Sequence, residues 1–280
     1  ANTTGTQNVA VGALALQTNT TANSNSALGY AALKLNTTGT QNVAFGNTAL
    51  SANTTASQNS AFGYLSLRQN TTGANNVAVG WRSLDANTTA SNNTAIGNQA
   101  LFANSTGAFN VAVGAEALDA NTTASSNTAV GYGAIGANTT GAGNVATGKN
   151  ALLANTTGNE NTATGTQALD ANTTGSFNTA VGRKSLTDNT TGSGNTSIGE
   201  RSGQSTTTGT FNVFVGKEAG RDITTGDNNT CLGLGAGLAG SPSGTITTGS
   251  NNVVLGDNSI SNLFCADTSI SSSDSRDKTD

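Results

Sequence analysis

NSTGAFNVAVGAEALDA, residues Asn104 to Ala120, decides the fold, because the chain repeats it with variations fourteen more times. If its residues are numbered as places one to seventeen, Asn stands at place seven and Gly at place eleven in every copy. These columns run from Asn8 and Gly12 through Asn25 and Gly29 to Asn252 and Gly256. Thr holds place three from Thr4 and Thr21 to Thr225 and Thr248. The step is 17 residues, with six more inserted before the last copy. A short fixed period implies a solenoid, in which no coil buries its apolar face alone and stacked neighbours complete the core.

The unbroken period from Asn2 to about Gly256 argues for one elongated body rather than two domains. Low hydrophobicity would suit a disordered chain, but disorder usually brings high charge, and here the net charge is only -4. The periodic Val, Ile and Leu favour order. Mild acidity without a basic patch gives no footprint for nucleic acid, and no apolar run is long enough for a membrane span. A start at Ala1, inside a repeat, suggests a fragment or a processed product. Cys231 falls in a column held mostly by Ala and reads as a small buried thiol rather than half of a disulfide.

Place ten, which includes Val79, Ile96, Val113 and Val130, reads as a buried ladder. Place eight (Val77, Thr94, Val111, Thr128) lies two residues away and shares its side of a strand. Place nine, Ala in the first eleven copies, then points outward. A uniform Ala surface suggests close approach of another sheet, hence a homotrimer packed through that face. Each coil holds one strand, NVAVG, with a second expected in the Ala-Leu-x-Ala segment or the Asn-Thr-Thr that follows. Gly at place eleven and the β-branched Thr pair oppose helix. Nearly all charges of the regular body fall at places twelve, thirteen, sixteen or seventeen, which should therefore face water. Fifteen coils at about 4.8 Å each give a rod of roughly 70 Å. The fold class expected is all-β, a parallel β-solenoid.

The Asn-Val/Thr-Ala-Val/Ile-Gly pattern, as at Asn76–Gly80 and Asn93–Gly97, resembles the head repeats of YadA-type trimeric adhesins. That resemblance covers about nine tenths of the chain and implies a left-handed parallel β-roll assembled as a trimer. Near the C-terminus Leu at place fifteen gives way to Gly203, Gly220 and Gly237, which suggests a transition towards another module. The final residues, Ser273 to Asp280 (SDSRDKTD), resemble the opening of the endosialidase-type intramolecular chaperone (peptidase S74) of phage tail fibres. The resemblance implies a domain that assists trimer assembly and then cuts itself off near Ser273 and Asp274. The expected organisation is a shaft over 1–256, a connector over 257–272 and the start of that domain over 273–280.

No His, clustered Cys or nucleophile-base pair supports an enzyme, and no cofactor or metal is expected. The place-seven Asn reads as a side-chain ladder rather than a ligand site. The Asn-Thr-Thr column could present ranked hydroxyls, as ice-binding solenoids do. The aromatic residues at place twelve, Tyr30, Tyr64, Trp81 and Tyr132, could stack on sugar rings, although packing against another subunit is the favoured reading. The function expected is a trimeric segment of a phage tail fibre in the virion, involved in host adhesion. Its partners would be itself, other tail proteins and a host surface glycan or protein. The alternatives are a trimeric autotransporter-type adhesin head on a bacterial surface and, more weakly, an ice-binding solenoid.

Overall fold

The computed structural model describes residues 2–261. It is an all-β solenoid: fifteen strands of three residues, from β1 (Val9–Val11) to β15 (Val253–Leu255), form one parallel sheet in sequence order. Register follows the repeat, with Ala78 opposite Ala95 and Ala112 opposite Ala129. The inserted hexapeptide does not disturb it. Thr230 pairs with Val253 across the 23-residue step, and Ser241 closes the extra loop by donating to the Leu238 carbonyl at 2.8 Å.

The second expected strand is absent among the described residues. The Ala-Leu segment is a turn, because places thirteen and fifteen adopt left-handed backbone, as at Glu116 (φ 58°) and Leu118 (φ 52°). Coil-to-coil bonding continues through the turn, where the Leu118 amide donates to the Ala134 carbonyl at 3.0 Å. Gly at place eleven has a steric cause. Gly114 sits at φ 137°, and a Cβ there would lie 2.5 Å from the Gly131 carbonyl oxygen of the next coil.

The expected inside and outside of the strand are exchanged. Ala78, Ala95, Ala112 and Ala129 of place nine are fully buried, whereas Ile96 and Val130 of place ten are 40% and 37% exposed. Val79 and Val113 are half-buried. The reason is the narrow lumen. Leu84, Leu101 and Leu118 at place fifteen are fully buried within the same core, and only a methyl group at place nine fits beside them. Consequently the Ala column cannot be the surface through which copies associate.

Coils twelve to fourteen stay within the sheet and exchange one packing solution for another. Place nine becomes Phe214, fully buried, while place fifteen becomes Gly203 and Gly220. A Cβ on either glycine would fall within 2.4 Å of the Phe214 ring, so the ring occupies the volume that two leucines fill elsewhere. Cys231, the next place-nine residue, is buried as its column implied.

Candidate interaction surface

Two asparagine ladders account for the polar interior. At place seven the Asn42 amide N–H donates to Asn25 Oδ1 at 3.0 Å, and Asn42 Nδ2 donates to the Ala56 carbonyl at 2.8 Å. At place one Asn53 Nδ2 donates to Asn36 Oδ1 at 2.8 Å and to the same Ala56 carbonyl at 2.9 Å. Both rows are buried and bonded between coils, so their amides hold the turns together rather than face a ligand. Thr hydroxyls at place two are used similarly, Thr71 Oγ1 donating to the Thr88 carbonyl at 2.9 Å. Place three is left as a column of exposed Thr.

The outer strand face is uncovered and rich in apolar residues at place ten, while place eight is Ser or Thr in about half of the coils. Leu28, Phe45, Phe62, Ile96, Val130, Ile198 and Leu232 of place ten are all exposed. Phe45 and Phe62 meet edge to face at 5.2 Å between ring centres. Sequence reasoning missed three further aromatics at place six, Phe109, Phe177 and Phe211, which lie two residues before this face and are more than 60% exposed. Each stands in left-handed backbone, a conformation bulky residues rarely adopt. Their signal was a large apolar residue in an otherwise polar or glycine column.

The edge after the strand carries the place-twelve aromatics. Tyr30, Tyr64, Trp81 and Tyr132 are all exposed, as expected, but they do not form one site. Tyr64 and Trp81 belong to successive coils, joined where the Arg82 amide donates to the Tyr64 carbonyl at 3.0 Å. Beside Trp81 lies the one correction to the charge rule. Asp85 is fully buried, accepting from Arg68 Nε at 2.8 Å and from Arg82 Nε at 2.9 Å. The Arg82 guanidinium also lies over the Trp81 ring at 5.4 Å and the Phe102 ring at 4.5 Å. Tyr132 has different surroundings: a hydrogen bond to Glu116, with the charges of Glu116 and Asp119, raises its phenol above the usual range.

No group of three or more metal-ligating side chains occurs among the described residues. No described helix is long and apolar enough to cross a membrane. Ser273 and Asp274, the expected cleavage junction, lie outside the described residues, as does Cys265. No family model matches the chain, and neither a curated protein nor a solved structure matches it.

Proposed function

We propose that this chain is a structural and attachment protein, a homotrimeric segment of a phage tail fibre that spaces or presents a host-binding surface. The observation that carries the proposal is the apolar outer strand face. It runs from Val9 and Val11 to Val253 and Leu255 and is uncovered in an isolated chain. A surface this long and this rich in exposed Val, Leu, Ile and Phe, interrupted by Thr162 and Thr164 of the tenth coil, is an interaction site by the ordinary economy of soluble proteins. A second copy fits it best, because a repeat of fixed period matches another copy of itself coil for coil. The resemblance of Ser273–Asp280 to the start of a fibre chaperone favours a phage origin. Such a domain would solve a physical problem, since nearly identical coils can associate out of register by one or two repeats.

The test is to express the longer gene and read the mature product by mass spectrometry alongside its solution mass. A chain cut near Ser273 and Asp274 that assembles as trimers supports the proposal. An intact full-length trimer would instead favour the bacterial adhesin, which the strand motif resembles equally well. Ice binding draws on the exposed Thr column alone and would require thermal hysteresis from the purified protein.

A further inference from the structure

We infer that the edge formed by Tyr64, Trp81, Arg68 and Arg82 is a binding site for an acidic glycan, a surface-lying sugar chain bearing carboxylate or sulfate groups. The inference rests on the attachment reading and names the chemistry of what is attached.

Three features converge there. Tyr64 and Trp81 present exposed rings from adjacent coils, about one inter-strand spacing apart, which suits stacking against a sugar ring. Arg68 and Arg82 are held by the buried Asp85 through Nε alone, so the carboxylate fixes both guanidinium planes and leaves their terminal amino groups free of it. One carboxylate between two guanidiniums leaves the cluster with excess positive charge, and a second oxyanion would meet paired donors already oriented. Packing of Arg82 against the Trp81 and Phe102 rings holds it further.

Charge along the chain points the same way. Residues 1–115 hold Lys34, Arg68 and Arg82 against the single carboxylate of Asp85, in a chain whose net charge is -4. Of the remaining place-twelve aromatics, Tyr132 has Glu116 and Asp119 beside it and would repel the same ligand. No pocket indents the described surface, so the ligand that fits is a chain lying along the edge rather than an enclosed small molecule.

Trp81 is the only tryptophan of the sequence, so its fluorescence reports the site directly. The intact assembled protein is titrated with oligogalacturonate, with sulfated dextran and with neutral dextran. A saturable change in Trp81 emission with an acidic chain, lost on adding salt and absent with neutral dextran, is expected. By sedimentation or calorimetry, Trp81→Ala and Arg82→Gln should each weaken binding about tenfold or more, while Tyr132→Ala leaves it unchanged. Circular dichroism checks that each variant remains folded. Should Arg82→Gln fail to fold, Trp81→Ala still decides, because it removes no partner of Asp85. Equal response to neutral dextran, no response to either acidic chain, or a Trp81 that acrylamide cannot quench in the assembled protein would each overturn the inference. The last outcome would make the edge a subunit contact. The attachment reading fails by a separate result, a monomeric mass.

Discussion

At the scale of single residues, stability rests on amides that point inward and are shared between coils. Asn104 Nδ2 donates to Asn87 Oδ1 at 3.1 Å and to the Gly107 carbonyl at 2.9 Å, while its own Oδ1 accepts from Asn121 Nδ2 at 2.8 Å. Asn104→Ala therefore strands Asn87 Oδ1 in the core, and the cost expected is about 2 kcal/mol, read as a lower denaturation midpoint at fixed protein concentration. The ladder shows its own end. Asn189 Oδ1 is the one buried side-chain polar atom without a partner among the described residues, and the next residue in that column is Thr206. Thr206→Asn would satisfy Asn189 but give up the Thr206 Oγ1 bond to the Ile223 carbonyl at 3.1 Å and leave its own Oδ1 facing Ile223, so one bond is gained and one lost. Its stability should stay within about 0.5 kcal/mol of the parent, unlike that of the Asn104 variant. Cys231 supplies a pH test. Burial raises its thiol from an ordinary value of 9.0 to about 11. The folded state favours the neutral thiol, so this contribution is intact below pH 9.0 and is lost as pH rises towards about 11. Cys231→Ala should flatten that part of the pH–stability curve, measured by thermal melts.

At the scale of the coil, the strand position, the invariant Gly and the place-seven ladder were legible in the sequence, but the orientation of the strand was not. A period of two says that Val111 and Val113 share a face and that Ala112 has the other; it does not say which face is inside. The usual assignment sends the larger apolar side chains inward. It fails here because Leu118 already fills a thin lumen and leaves room only for a methyl group. The better signal was uniformity: eleven consecutive copies of Ala mark a place where nothing larger fits. Asp85 was illegible for a different reason, since its burial depends on Arg68 of the preceding coil and Arg82 of its own coil both closing on it. Phe214 yields a test of the packing. Ala112→Phe alone should overfill its coil and destabilise it by about 3 kcal/mol or more. Adding Leu101→Gly and Leu118→Gly reproduces the arrangement of Phe214 with Gly203 and Gly220, and should restore much of the cooperativity in urea unfolding. If the triple variant unfolds no later than Ala112→Phe, exchange of volume between places nine and fifteen does not explain the C-terminal coils.

At the scale of the whole molecule, the coil core is built mainly from Ala and Leu, and apart from Phe214 and Val254 the larger Val, Ile and Phe side chains of the strands stand outside it. A rod built this way keeps much of its apolar area for association, so assembly should add stability to coils that fold around their own core. Light scattering is expected to give about three times the 27.5 kDa chain mass. Val111→Asp combined with Val113→Asp separates the two roles of the strand. Both residues are half-buried on the outer face and neither lies in the coil core. A single chain can hydrate the new carboxylates, whereas three copies meeting through this face would gather six of them where water is excluded. The variant should therefore fall to the mass of one chain while retaining the β-sheet circular dichroism of its coils, and should melt at a lower temperature because partner contacts no longer stabilise it. Loss of the β signal at all concentrations would return these valines to the coil core and contradict the strand orientation. Persistence of the parental mass would place the contact elsewhere, and the place-six row of Phe109, Phe177 and Phe211 would then be the next surface to charge.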